Sequence, residues 1–351
     1  MSAWRGVIEH YRSLIDLPSG APVVTLLEGN TPLIPVPRLT EQIGAASILV
    51  KFEGLNPTGS FKDRGMAVAI AEALHRGANA VICASTGNTA ASAAAYAARC
   101  GLKCFVVIPA GKVAAGKLAG ALAYGAETIS INGSFDEALK LVTELSDKKP
   151  LALVNSINAF RLQGQKTAAF EICDSLGKAP DWLSLPVGNA GNITSYWMGF
   201  REYDALKDTG TPRILGVQAS GSAPLLAGHA ISEPETIATA IRIGNPARGE
   251  QAKLAIQQSN GMIVAVSDEE ILAAQMQLAG EGLWVEPASA ASFAGLRSLA
   301  RQGDFDFHGQ TIVCVCTGHG LKDPAIITDH YHPSPPIPAK LSDLEQRIES
   351  K

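Results

Sequence analysis

Asn56-Pro57-Thr58-Gly59-Ser60-Phe61-Lys62-Asp63-Arg64-Gly65 is a turn-rich loop that delivers a single lysine to the start of a helix. Pro57 and Gly59 interrupt any regular element ahead of Ser60. The run beyond Asp63 has helical composition and stops at Gly77, where a left-handed C-cap belongs. A lysine placed there faces the positive end of the helix dipole, which disfavours its ammonium form. The neutral amine is a nucleophile able to form an imine with a carbonyl. A solvated surface lysine is the competing reading, and the residues around Lys62 decide against it.

Outward from this loop, short Val/Ile-rich runs alternate with alanine-rich segments of helix length, the pattern of an α/β fold with a mostly parallel sheet. The runs predict strands over 80–84, 103–108, 128–131, 182–187, 214–218, 262–265 and 311–316. Helices are expected over 63–76 and 89–99, the second stopping at Gly101. Ser267 and Glu270 form a capping-box pair that opens a helix running to about Leu278. Pro333 to Pro338 can continue neither a helix nor a central strand, and the charged tail from Lys340 to Lys351 reads as a surface segment.

Composition narrows the kind of ligand. Of 351 residues 46% are apolar and 18% charged, enough for a substantial core, and the net charge of -4 is spread without a long basic run. Nucleic acid and membrane surfaces are therefore not expected as partners, and a small-molecule ligand is. The opening residues carry Arg5 and Glu9 and lack the pattern of a secretory leader, and the apolar runs fall short of a membrane span, so a cytoplasmic location is expected. Six cysteines without a CxxC pair and seven histidines without an HxxxH or HExxH cluster predict metal-free chemistry. Cys314 and Cys316, two apart in a predicted strand, should share one buried face.

Two further loops are built to meet anions. Ser85-Thr86-Gly87-Asn88-Thr89 follows a predicted strand and opens an alanine-rich helix, so its amides and hydroxyls converge on a helix N-terminus. Gly188-Asn189-Ala190-Gly191-Asn192 does the same after the strand over 182–187, its glycines letting the backbone approach a ligand. Each could be no more than a capping loop or a turn. A third stretch, Gly111-Lys112-Val113-Ala114-Ala115-Gly116-Lys117, fits the GxxxxGK spacing of a nucleotide-binding loop. It is followed by Leu118 where that motif needs Ser or Thr to hold magnesium, so a phosphotransferase would lack its metal hook.

The order of these segments resembles the β-family of pyridoxal-phosphate (PLP) enzymes, fold type II, whose members share an Asn-Pro-Thr-Gly-Ser-Phe-Lys segment ending in the Schiff-base lysine. The resemblance spans roughly Gly29 to Pro324 and implies two open-twisted α/β lobes with the active site in the cleft between them. The larger lobe is expected from residues 1–58 and 155–351 and the smaller from 59–154. By resemblance, Lys62 carries the cofactor and later moves protons. The loop Ser85, Thr86, Asn88 and Thr89 grips the amino-acid carboxylate, with Asn88 bonding the cofactor's phenolic oxygen. Gly188, Asn189, Ala190, Gly191 and Asn192 would hold the cofactor phosphate, Asn189 reaching the substrate as well.

Dehydratases and cysteine synthases share the lysine segment, so other positions must choose the reaction. Gly-Asn-Ala-Gly-Asn resembles the phosphate loop of threonine synthases, where dehydratases have four glycines. Thr317-Gly318-His319-Gly320-Leu321-Lys322-Asp323-Pro324 resembles the C-terminal signature of the same group and implies a Thr317 hydroxyl beside the pyridine nitrogen. Val154-Asn155-Ser156-Ile157-Asn158-Ala159-Phe160-Arg161 resembles the substrate-phosphate segment, giving roles to Asn155, Ser156 and Arg161. Glu286-Pro287-Ala288-Ser289-Ala290 lines the cleft in that group. The implied substrate is O-phospho-L-homoserine, converted with water to L-threonine and phosphate by γ-elimination and β-addition, with a threonine or serine dehydratase as the alternative. The family is commonly dimeric, and a homodimer is expected on that ground.

Overall fold

The computed structural model describes residues 3–111, 115–303, 305–330 and 332–349, so part of the GxxxxGK stretch lies outside the described residues. Ten strands form two sheets among them. The strands are β1 (Leu33–Pro35), β2 (Ser47–Phe52), β3 (Ala80–Ala84), β4 (Lys103–Pro109), β5 (Glu127–Ile131), β6 (Leu151–Leu153), β7 (Trp182–Pro186), β8 (Arg213–Ala219), β9 (Met262–Val266) and β10 (Thr311–Cys316). The larger sheet runs β1-β2-β10-β7-β8-β9 and the smaller β5-β4-β3-β6. Every pairing is parallel except β1 with β2, as expected when helices cover both faces.

Three strands were not read from the sequence. β1 and β6 are three residues long, and β1 ends in a proline that only an edge tolerates. β2 sits beside β10 but carries Lys51, a charge that hides a buried strand from any apolar pattern. Along β10 the alternation is clear: Val313 and Val315 pack into the apolar cluster that also holds Met66, Ala93, Val106 and Phe170, reaching both sheets. Cys314 and Cys316 face the opposite cluster with Trp182 and Phe293. All six cysteines are free.

Lys51 is buried because it belongs to an ion cluster. Arg64, two residues after Lys62, donates from Nε to Glu53 Oε2 at 2.7 Å and from Nη1 to Glu171 Oε1 at 2.6 Å, while Lys51 Nζ reaches Glu171 Oε2 at 2.7 Å. Thr31 and Asn56 donate to the remaining lone pairs of Glu53, and the Asn30 amide donates to Glu171. Two cations and two carboxylates thus close on themselves with their hydrogen-bonding capacity filled, the condition under which buried charge is tolerated. The cluster ties the lysine helix (Lys62–His75) to β2, to the segment before β1 and to the helix Thr167–Leu176.

The lysine helix also crosses the short helix Ala159–Gln165 at backbone contact. A Cβ added to Gly65 would lie 2.6 Å from the Arg161 carbonyl oxygen, and one added to Gly164 would overlap the Arg64 carbonyl. The capping box of Ser267 and Glu270 is present and opens the helix Asp268–Gly280. The tail forms a helix, Leu341–Glu349, with no buried residue.

Two outcomes follow. Gly164→Ala should push the two crossing helices apart and cost about 2 to 3 kcal/mol, read as a lowered urea midpoint. Burial alone would push the Glu171 carboxyl up, but Arg64 and Lys51 more than reverse that and hold it at about 2. Its contribution is complete above the usual 4.5 and drains away as the pH falls toward about 2. Glu171→Gln should lower stability by about 3 to 5 kcal/mol at neutral pH. It should also remove that part of the acid slope from the urea midpoints, and an unchanged slope would assign the acid sensitivity elsewhere.

Candidate active site

A loop that ends in a lysine must be held if the amine is to be aimed. Asp63 does this with a fully buried carboxylate that accepts from the Thr58 amide at 2.7 Å, the Thr58 hydroxyl at 2.6 Å and the Ser92 hydroxyl at 2.6 Å. On its other side the loop is stitched to the segment after β10. The Phe61 amide donates to the Thr317 carbonyl at 2.9 Å and the His319 amide to the Gly59 carbonyl at 2.9 Å. Lys62 therefore emerges between two pinned strands of backbone.

It opens into a cavity of about 550 Å³ between the two sheets. Ser85, Thr86, Asn88, Thr89, Asn155, Ser156, Arg161, Gly188 to Asn192 and Thr317 all line the same cavity with Lys62. β7 and β10 are parallel neighbours in the larger sheet, so their C-terminal loops lie side by side, and the loop after β3 of the smaller sheet lines the same cavity.

The amine is tuned for neutral-pH chemistry, with its pKa lowered to about 7. Burial is the main cause, the nearby Arg161 guanidinium adds to it, and Glu286 opposes both. The direction is the one expected from the sequence, with desolvation adding a cause that the sequence does not display.

Around the lysine, several side chains are engaged and a few are left wanting. Asn155 exchanges two hydrogen bonds with the backbone of Ala84, at 3.0 Å and 2.8 Å, which fastens the Ser85 loop to the segment 154–161. Asn189 donates to the Ser156 hydroxyl at 2.7 Å and accepts from the Ala247 amide at 2.7 Å, so both ends of its amide bind protein. These two asparagines hold the walls in place. By contrast, the Arg161 side chain is 1% exposed and bonds the Val154 carbonyl through Nη1, while Nε and Nη2 have no partner among the described residues. Burial pulls its pKa down to about 10, against the weaker opposing pull of Cys83 and Asp63, neither of which bonds it. A buried guanidinium in that condition is a site that calls for an anion.

The glycine loop offers a second such place. Ala190 lies at φ 61, a left-handed conformation that costs a residue with a Cβ roughly 1 kcal/mol and turns the chain into the helix Gly191–Lys207. A side chain at Gly188 would sit 2.9 Å from the Ile241 Cα, so the loop passes under the segment 239–243 with no room to spare. The amides of the helix's first turn have no acceptor within the helix, and the buried Asn192 Nδ2 beside them has no partner. A phosphate suits this cradle, and with the depressed Lys62 amine and the Thr317 hydroxyl the donor set fits pyridoxal phosphate.

Sequence reasoning passed over the segment 239–243, which forms one wall, because it has neither periodicity nor a capping signature. Glu286 was placed in the cleft without a task, since a glutamate before a proline reads as a helix start. Lys322, also in the wall, donates to the Thr58 carbonyl at 3.1 Å.

Residues 24–318 match the family described as pyridoxal-phosphate dependent enzyme. The chain is similar to the threonine synthase of Synechocystis, 60% identical over 92% of this chain and 84% of that one. It is likewise 57% identical to the threonine synthase of Halalkalibacterium halodurans, over 92% and 91% of the two chains. Among solved structures, an L-serine ammonia-lyase from Rhizomucor miehei superposes at a TM-score of 0.73 and 23% identity, covering 86% of this chain and 97% of that one, which speaks for the fold. Joined to a cavity that suits the cofactor, these matches establish that the chain belongs to the pyridoxal-phosphate dependent enzymes of fold type II, in their threonine synthase group.

Proposed function

We propose that the chain is a lyase that converts O-phospho-L-homoserine and water to L-threonine and phosphate. Its relatives carry the choice of reaction, and the observation that makes it physically specific is the buried, unpaired Arg161 guanidinium in the same cavity as Lys62. A dehydratase of serine or threonine handles a hydroxyl leaving group and has no use for a second anion site. A phosphorylated substrate needs one apart from the cofactor phosphate.

Pyridoxal phosphate, when bound, supplies the electron sink that lets protons leave carbons next to the amino-acid nitrogen. Lys62 would hold the cofactor aldehyde and then, as a neutral amine near pH 7, take and return protons at the substrate carbons. Gly188 to Asn192 would seat the cofactor phosphate, and Ser85, Thr86 and Thr89 the substrate carboxylate. Arg161 would fork onto the substrate phosphate with Nε and Nη2, both free of protein partners. The Ser156 hydroxyl, accepting from Asn189, keeps its own proton to donate beside it. Asn155 and Asn189 act mainly by fixing these groups. Holding the phosphate in one place also fixes which bond at Cγ is broken.

The division into residues 1–58 with 155–351 and 59–154 draws support from the sheets, since the smaller one uses only strands between 80 and 153. We further propose a cytoplasmic homodimer, the common arrangement of the family. No helix among the described residues is long and apolar enough to cross a membrane.

The deciding assay supplies O-phospho-L-homoserine and follows both phosphate and the amino-acid product. Threonine in step with phosphate is expected, whereas a 2-oxo acid with ammonia would favour the dehydratase. Lys62→Ala should abolish turnover and leave no cofactor on the protein after borohydride treatment, while in the wild type the label maps to the peptide containing Lys62. Arg161→Ala should weaken substrate interaction by about 1 to 3 kcal/mol, seen in kcat/KM, with cofactor occupancy unchanged. Loss of cofactor at unaltered kcat/KM would move Arg161 to the other phosphate.

A further inference from the structure

Glu286 lines the cavity with Lys62, and the proposed reaction leaves its carboxylate without work. It caps no helix amide through its side chain, although it immediately precedes the helix Pro287–Gln302. Only 4% exposed, it meets two of the residues placed at the cofactor. Asn88 Nδ2 donates to its two oxygens at 3.2 Å and 3.0 Å, and the Thr317 hydroxyl lies 3.3 Å from Oε1. The carboxylate is pressed onto bare backbone on another side, because a Cβ at Gly318 would be 2.6 Å from Oε1. Burial of a carboxylate is costly, and amide and hydroxyl donors offset only part of that cost. Burial accordingly pushes its pKa up, against the pull of Asn88, Lys322 and Lys62.

The pattern of donors explains why a carboxylate is kept. An asparagine amide has one donor end and one acceptor end of nearly equal shape, and a neighbour must choose between them. A carboxylate accepts only, so it can face nothing but the NH2 end of Asn88. One N–H is thereby held on Glu286 and the second is left for an oxygen acceptor in the cavity. Thr317 differs, because its hydroxyl has a single proton. It lies 2.9 Å from Ser289 Oγ, which accepts from the Gly318 amide at 2.8 Å and donates to the Gly318 carbonyl at 3.2 Å, and 3.3 Å from Glu286 Oε1. Donation to a ligand would have to replace one of these contacts, so the case for Glu286 rests on Asn88.

We propose that Glu286 is a positioning residue: its carboxylate accepts only from the NH2 end of Asn88, fixing that amide so that its remaining N–H is presented to the cofactor ring. The assignment rests on the reading of Asn88 as a cofactor-facing residue. A glutamine of equal size at 286 would put an NH2 in place of one of the two oxygens that now accept from Asn88, setting donor against donor. Alternatively it would reverse Asn88. Either arrangement changes what the ring meets without opening a cavity.

The test uses holoenzyme and two readouts besides activity, the visible absorption maximum of the bound cofactor and its dissociation constant. Glu286→Gln should shift the maximum and weaken cofactor binding by about tenfold, on the order of 1.4 kcal/mol. In an Asn88→Ala background the same substitution should have a much smaller effect, because the carboxylate acts in large part through Asn88. A Glu286→Gln holoenzyme with the wild-type maximum and dissociation constant overturns the proposal, as do effects that simply multiply in the double variant. Should Glu286→Gln fail to fold by circular dichroism, Glu286→Asp keeps the charge and shortens its reach. A shifted maximum there supports the clamp and an unshifted one overturns it. If wild-type enzyme showed no borohydride-trapped label on Lys62, the functional reading itself would fail, a result distinct from all of these.

Discussion

Arg64 lies between two buried carboxylates, and almost everything the site requires is attached to one of the three. Its guanidinium is planar and offers a donor to each of Glu53 and Glu171, while Lys51 supplies the second positive charge that brings the group to neutrality. Such a cluster adds little net stability compared with an apolar core of equal volume. What it adds is a single answer to how four segments meet. The lysine helix, β2, the Thr31 segment and the helix Thr167–Leu176 can satisfy these charges in one arrangement only, and Lys62 is two residues from its centre.

The two anion sites differ in chemistry as well as in place. The glycine loop uses backbone amides at a helix N-terminus, a partial charge that cannot be rotated away. Arg161 uses a full charge on a side chain whose remaining donors have no protein partner. Under the proposed function the first would hold a phosphate that stays, the second one that arrives with the substrate and leaves with the product. Asn189 connects them, since it belongs to the glycine loop and bonds Ser156 in the substrate segment.

How much of this could be read from the sequence depends on where the information sits. Loops with particular residues in a particular order are visible in sequence, so Lys62, Asn88, the glycine loop and Thr317 could be picked out before the fold brought them to one cavity. Strands with apolar side chains on both faces were equally legible, and the predicted 311–316 coincides with β10. β2 was lost because the partner of Lys51 is 120 residues away in the chain, and no local pattern can announce an ion pair of that span. The contacts of Glu286 escaped notice for a similar reason, as Asn88 and Thr317 are distant from it in sequence. The lowered pKa of Lys62 was expected from the helix start alone, because a helix start is visible in sequence and the depth of a cavity is not.

The crossing of the lysine helix and the helix Ala159–Gln165 at Gly65 and Gly164 sets a ruler inside the cavity. With main chain resting on main chain there is no side chain at the contact whose size could be traded to widen it. The spacing of the Lys62 and Arg161 backbones is then a property of main-chain geometry, and under the proposed function it bounds the length of substrate that can bridge amine and guanidinium. Gly120, Phe135 and the segment 239–243 line the same cavity from separate parts of the chain. The crossing is the fixed part of the cavity, and these residues are the part where a changed side chain would alter its length.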